Sequence, residues 1–198
     1  MKFILFIFSI FLFLGCTTTK PMITDYKIHI QKLKDFTKSK TCKNKSLKIS
    51  KAFSSSSMMS LKMNYVEDNS QVFSYNKSQW IQSPTSLISE EVFLHMRDSN
   101  IFKSVNIYKS HSKSDLKLEI IIEDFMQYYT NNFKKSYVNI ELSMNLIDTK
   151  TYTIISSQKF KSKINTKTLD AIGGVKAFNI ALNDILTQNV EWIDGVCK

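Results

Sequence analysis

The sequence predicts an α+β domain, a two-layer fold in which a largely antiparallel mixed sheet packs against two helices, behind a removable N-terminal segment. Three observations carry this. Apolar and polar residues alternate with a period of two in several separate stretches. Two other segments carry apolar residues at three- and four-residue steps. No repeat period and no second composition block divides the 198 residues. At 43% hydrophobic residues the chain can build a core, while 4 Gly and 2 Pro exclude collagen-like, proline-rich and glycine-linker architectures.

The N-terminus comes first in chain order. Lys2 is followed by an apolar run over 3–14, broken only by Ser9 and ending in Gly15-Cys16. A membrane-spanning helix needs about 20 apolar residues, so this shorter run behind a positive charge reads as an export signal covering 1–15. Phe13-Leu14-Gly15-Cys16 resembles a bacterial lipobox, with Phe13 standing where Leu is usual. That resemblance implies cleavage before Cys16, diacylglycerol on its thiol and an acyl chain on its new amine, and no other cofactor. Each buried CH₂ of such chains contributes ~0.8 kcal/mol, and more than one chain holds a protein durably. The alternative is an ordinary signal peptide whose Cys16 is a structural half-cystine. Thr18 is not Asp, which by resemblance to the sorting rule of enteric bacteria implies the outer membrane, facing the periplasm. Residues 16–23 form a lipidated tether containing Pro21, and its leader from 17 to 23 reaches at most ~25 Å at ~3.5 Å per residue. The domain proper is expected over 24–198.

Alternation over 25–30 puts Tyr26, Ile28 and Ile30 on one face of a first strand. A lysine-rich stretch over 31–45 reads as an exposed loop. A second strand is expected over 46–53, with Leu47, Ile49 and Lys51 in phase. Residues 61–65 and 72–75 flank the turn-rich Glu67-Asp68-Asn69-Ser70 and predict a hairpin. Ser83-Pro84-Thr85 supplies helix-start chemistry for a helix over 85–98, with Leu87, Ile88, Val92 and Met96 at helical spacing and Glu90 and Glu91 early. Strands follow over 102–108, 115–123 and 137–146, the last two the longest. A turn over 147–152 leads to a strand over 153–163. Val175, Phe178, Leu182, Ile185, Leu186, Val190 and Ile193 then recur at helical steps and predict a closing helix over 174–193.

Loss of the signal removes Lys2 and no acid, so the net charge falls from the +10 of the whole chain by one. Such a surplus suits nucleic acid, anionic lipid or an acidic partner. Export removes nucleic acid, and the lysines are scattered as on a solvated surface. Cys42 and Cys197 remain, and an exported context makes them a candidate disulfide. Neither belongs to a ligand cluster, so no metal site is expected.

Several fragments, taken together, resemble the ABC-type transport auxiliary lipoprotein family, whose paraquat-inducible branch accompanies MCE-domain lipid transporters. They are Met63-Asn64-Tyr65, Tyr75-Asn76-Lys77-Ser78-Gln79-Trp80 with Pro84 soon after, and Ser99-Asn100-Ile101-Phe102-Lys103-Ser104-Val105. Ser114-Asp115-Leu116 leading to Asp124-Phe125 and Ala177-Phe178-Asn179-Ile180-Ala181-Leu182-Asn183 leading to Trp192 complete the set. The departures are Ser83, where a second Pro is frequent, and the long loop around Cys42. The resemblance implies a membrane-anchored, non-catalytic auxiliary component of an ABC/MCE-type lipid transport system. Its implied partners are an MCE-domain membrane protein with ABC permease and ATPase subunits. The alternative is a periplasmic lipid- or solute-binding lipoprotein, with phospholipid as cargo. Homo-oligomerisation is left open by the sequence.

Tyr75, Trp80, Asn179 and Asn183 are candidate contacts to a partner or to lipid. The plainer reading of each is core, rim, solvated surface or cap. Gly173-Gly174 reads as a tight entry to the last helix. Enzyme chemistry finds little material. No Gly-x-Ser-x-Gly elbow, His-Glu-x-x-His helix or phosphate loop is present, and His29, His95 and His111 lie far apart in sequence. Asp115, Glu119, Glu123 and Asp124 are the one acidic cluster, and they read as solvent-facing strand carboxylates in a protein that is not an enzyme.

Overall fold

In the computed structural model, which describes residues 22–30, 42–68, 70–130 and 132–197, strands and helices form a single two-layer α+β unit. The expected signal peptide over 1–15, Cys16 and most of the lysine-rich stretch lie outside the described residues. The strands are β1 (Thr24–Tyr26), β2 (Ser46–Ile49), β3 (Phe53–Ser54), β4 (Lys62–Glu67), β5 (Gln71–Trp80), β6 (Ser104–Ile107), β7 (Leu116–Thr130), β8 (Lys135–Asp148) and β9 (Ile154–Asn165). The helices are α1 (Pro84–Asp98) and α2 (Ala171–Val196), and a 3₁₀ turn occupies Ser56–Met58.

β7 is the spine of the sheet. One edge pairs antiparallel with β8 from Leu116↔Asp148 to Thr130↔Lys135, and β8 pairs antiparallel in turn with β9. The other edge is shared by β2, β3 and β4, all parallel to it, through Leu47↔Leu116, Phe53↔Ile121 and Tyr65↔Gln127. Residues 46–67 thus follow β7 as one strand broken twice. At the first break the register shifts by one residue. Ser50 N–H still donates to Leu118 O (3.0 Å), whereas Ala52 N–H turns away to Ser89 Oγ on α1 (2.8 Å), which keeps a buried donor satisfied. The expected strand over 46–53 therefore ends at Ile49. Lys51 is exposed, and Ala52 and Ser54 take the inward positions.

Two other expectations change for comparable reasons. The first strand is only Thr24–Tyr26, parallel to β5. Ile28 is still buried, because the chain leaves the sheet toward α2, where His29 N–H donates to Asn179 Oδ1 (3.0 Å). β7 outruns its predicted bounds because a bulge between Ile122 and Asp124 inverts the pattern, and β8, Lys135–Asp148, pairs with it along that length. Before it Leu116, Leu118, Ile120 and Ile122 face inward, as the alternation predicts, and after it Phe125, Gln127 and Tyr129 do.

Both helices cover the same face. α1 packs on β6, β2 and β7, and α2 on β8 and β9. Ser83 caps α1 by accepting from Ser86 N–H (3.4 Å), with Pro84 in the first turn. Glu90 and Glu91 fall beyond that turn, so they add nothing to its start. Asp170 caps α2 through Gly173 N–H (2.7 Å), and the helix begins at Ala171, three residues before the predicted start. Between the layers Leu118, Ile140, Leu142 and Met144 meet Ile88, Val92, Phe178, Leu182 and Ile185 in one core. Cys42, at the turn into β2, is bonded to Cys197 at the end of α2, with the Cα atoms 5.6 Å apart.

The uncovered face is polar. Lys117 pairs with Glu119 (2.7 Å), and Lys159 bridges Glu123 and Glu141 while Lys161 also reaches Glu141 (2.5 Å). Exposed pairs of this kind contribute between about 0 and 1 kcal/mol each.

Candidate functional site

The turns after Glu67 and after Thr130 lie side by side, because β4 and β7 run parallel and each opens an antiparallel hairpin at this end. Behind them sits an aromatic cluster of Tyr65, Phe73, Tyr75, Tyr129 and Phe133. Tyr65 packs at 4.7 Å from Tyr75 and 5.4 Å from Tyr129, and Phe133 lies 5.1 Å from Tyr129 between ring centroids.

Gln127, fully buried, organises the polar side of that cluster. Its Oε1 accepts from Tyr75 Oη (3.0 Å), while Nε2 donates to Ser136 Oγ (2.8 Å), Tyr129 Oη (3.1 Å) and Asp170 O (3.3 Å). Tyr75 and Tyr129 hydroxyls share a further bond of 2.5 Å. Burial first, then that bond, pushes the Tyr75 phenol far above its ordinary range, so it stays neutral. Gly174 makes this possible, since a Cβ there would stand 2.1 Å from Gln127 Oε1, and at Gly173 it would stand 2.2 Å from Thr168 O. The glycine pair therefore serves close packing inside the first turn of α2. Sequence reasoning missed Gln127 because a Gln at an inward strand position resembles a pattern break. Its phase relative to Phe125 and Tyr129 was the available signal.

The other predicted residues separate. Trp80 is 2% exposed and packs against Phe125 (5.7 Å) and Phe178 (5.3 Å), so it is core and offers no surface for a partner or lipid. Asn179 is half-buried and accepts from His29 N–H, which makes it a clamp on the segment after β1. Asn183 is half-buried, and its backbone carbonyl accepts from Thr187 Oγ1 (2.9 Å). Cys16 lies outside the described residues.

The acidic cluster disperses in the same way. Asp115 Oδ2 accepts from Ser46 N–H (2.9 Å) and Ser46 Oγ (2.7 Å), and the backbone bond in particular holds the carboxyl below its usual range. Glu119 and Glu123 are in the ion pairs above. Asp124 is pushed upward by burial, against the bonds it accepts from Asn139 (2.6 Å) and Tyr128 (2.7 Å). The bulge turns Asp124 onto the same face as Glu119. All four are held as structural groups.

At the end of β7 opposite the hairpins is a cleft of about 570 Å³, lined by Lys48, His111, Lys113, Lys117, Lys150 and Tyr152, with Asp115 among them. Its lining is mainly cationic and hydroxylic.

Two crystal structures are similar to this architecture over nearly all of its length. A Xanthomonas campestris protein described under the DUF330 family shares 20% identity, with a TM-score of 0.79 over 87% of this chain and 95% of that one. An uncharacterized protein shares 11% identity, with a TM-score of 0.68 over 87% of this chain and 99% of that one. The chain has a DUF330-like fold. No family model matches the chain, and no curated protein matches it.

Within this DUF330-like fold the fragments behind the family resemblance occupy structural positions. Tyr75 to Trp80 is the second half of β5, ending in the buried Trp80 and leading through Ser83 into α1. Ile101 and Phe102 are buried between α1 and β6, and Phe178 and Leu182 are the inward face of α2. Trp192 packs on Phe160 (5.8 Å) and donates to Ser156 Oγ (3.2 Å).

Proposed function

We propose that this protein is a membrane-anchored lipoprotein acting as a non-catalytic auxiliary component of an ABC/MCE-type lipid transport system at the outer membrane. The observation that carries the reading is the lipobox-like Phe13-Leu14-Gly15-Cys16, placed so close ahead of β1 that an acylated Cys16 keeps the domain within ~25 Å of its membrane. No helix among the described residues is long and apolar enough to cross a membrane, and attachment through acyl chains needs none. The fragments that resemble the auxiliary lipoprotein family, and their order, support the finer part of the reading. The lysine-lined cleft at the far end of β7 is a surface that an acidic or polar segment of an MCE-domain partner would fit.

Palmitate labelling and crosslinked recovery from membranes test the reading together. The wild-type chain takes up label, fractionates with the envelope and brings down an MCE-domain protein after crosslinking. Cys16→Ser takes up none and moves to the soluble fraction. An unlabelled wild-type chain overturns the anchor, and a labelled chain that recovers no MCE-domain protein overturns the transport role alone.

A further inference from the structure

The direction in which the chain enters the sheet sets which end of the domain the tether pulls toward the membrane. β1 is parallel to β5, with Thr24 beside Ser78, and β5 begins at the hairpin turn and runs away from it. Read backward from Thr24, the chain therefore points at the hairpin end. Thr24 sits near the level of Lys62, since Lys62 pairs with Gln79. From Lys62 to Glu67 is ~17 Å at ~3.4 Å per residue, and the turn lies just beyond. The leader spans at most ~25 Å, so a tether leaving in this direction has little slack past the hairpin end. The opposite end is less accessible. Lys62 is three residues before Tyr65, level with Asp124, whose partner Glu141 lies ~24 Å along β8 from Asp148. The turn bearing Tyr152 is farther still, and reaching it would need the chain to reverse.

The hairpin end also carries a group of exposed apolar side chains. Val72 is 56% exposed, Phe73 40% and Phe133 48%. Leu169 and Ile172 join them at 47% and 49%, brought to this end because Asn165 pairs with Tyr137, which pairs with Tyr128 near the end of β7. Phe133 holds a left-handed backbone (φ 63°), as does Asn132 before it (φ 52°), a conformation that suits glycine and strains a bulky residue. One side of the Phe133 ring packs on Tyr129, and the other is open to solvent. Exposed Lys134, Lys135 and Lys167 flank the patch, and Glu67 and Asp68 offset part of their charge. Apolar and aromatic side chains ringed by lysine suit the boundary between head groups and acyl chains.

We propose that this end rests in the head-group layer of the membrane that holds Cys16, with Val72, Phe73, Phe133, Leu169 and Ile172 seated among phospholipid. This rests on the reading of Cys16 as the acylated residue. It leaves the lysine-lined cleft pointing away from that membrane.

The test uses the full-length mature lipoprotein in vesicles of phosphatidylethanolamine and phosphatidylglycerol, with or without brominated acyl chains. Phe73→Trp, Phe133→Trp and, at the far turn, Tyr152→Trp are compared after subtracting the signal of the parent protein's Trp80 and Trp192. Flotation of each variant with the vesicles reports the anchor independently. The expected result is flotation of all three, with bromine quenching at positions 73 and 133 at least about twofold stronger than at 152. Flotation with equal quenching at the three positions, or stronger quenching at 152, overturns the placement and leaves the anchor standing. Failure to float overturns both.

Discussion

Gly174 shows how one missing methyl group can support a buried polar cluster. In an exposed helix a glycine costs roughly 0.5–1 kcal/mol relative to alanine, so Gly→Ala in α2 would ordinarily stabilise. At Gly174 the new Cβ meets the carbonyl oxygen of Gln127, the acceptor that satisfies Tyr75. Gly174→Ala should therefore destabilise the domain by about 1–3 kcal/mol through overpacking. Gly195→Ala has nothing within 4 Å of its added Cβ and should stabilise by up to about 1 kcal/mol. Urea unfolding of the two variants beside wild type measures both, and opposite signs are the expected outcome. The helical spacing of α2 is readable in the sequence, but the opposed roles of its glycines are not, because they depend on a strand some fifty residues earlier.

The uncovered face formed by β7, β8 and β9 works as an element held by its edge lysines. Glu141 accepts from Lys161, Asn139 and Lys159 and is held down from its ordinary value of 4.5 to about 2, with the Lys161 bond the largest cause. A carboxylate lowered in the folded state contributes stability that is present above its ordinary value and is lost as pH falls through the folded value. Glu141→Gln should therefore flatten the stability profile between about pH 5 and pH 2, its cost being greatest at neutral pH, where solvent screening holds it to about 1 kcal/mol or less, and vanishing below about pH 2. Thermal unfolding against pH reads this out directly. Strand alternation predicted that Glu119 and Glu123 face solvent. It could not predict the position of Asp124, because the bulge after Ile122 moves the next residue onto that same face and closes it against Asn139 and Tyr128.

At the scale of the whole molecule the Cys42–Cys197 bond ties the beginning of the central strands to the end of the last helix, across a sequence separation of 155. In the chain-entropy model a closure this long stabilises by up to about 4 to 5 kcal/mol. Replacing both cysteines with serine should lower stability toward that figure, and reducing agent should have the same effect on wild type and none on the double variant. Paired melting curves with and without reductant check this. The α+β class, the two helices and the alternating strands were determined by the sequence alone, because each is written in residues within a few positions of one another. The parallel pairing of β2, β3 and β4 along one edge of β7 was decided only by the tertiary structure. So was the Gln127 cluster. Their partners lie tens of residues apart, and period-two alternation reports which face of a strand is inward but not which strand lies beside it or in which direction it runs.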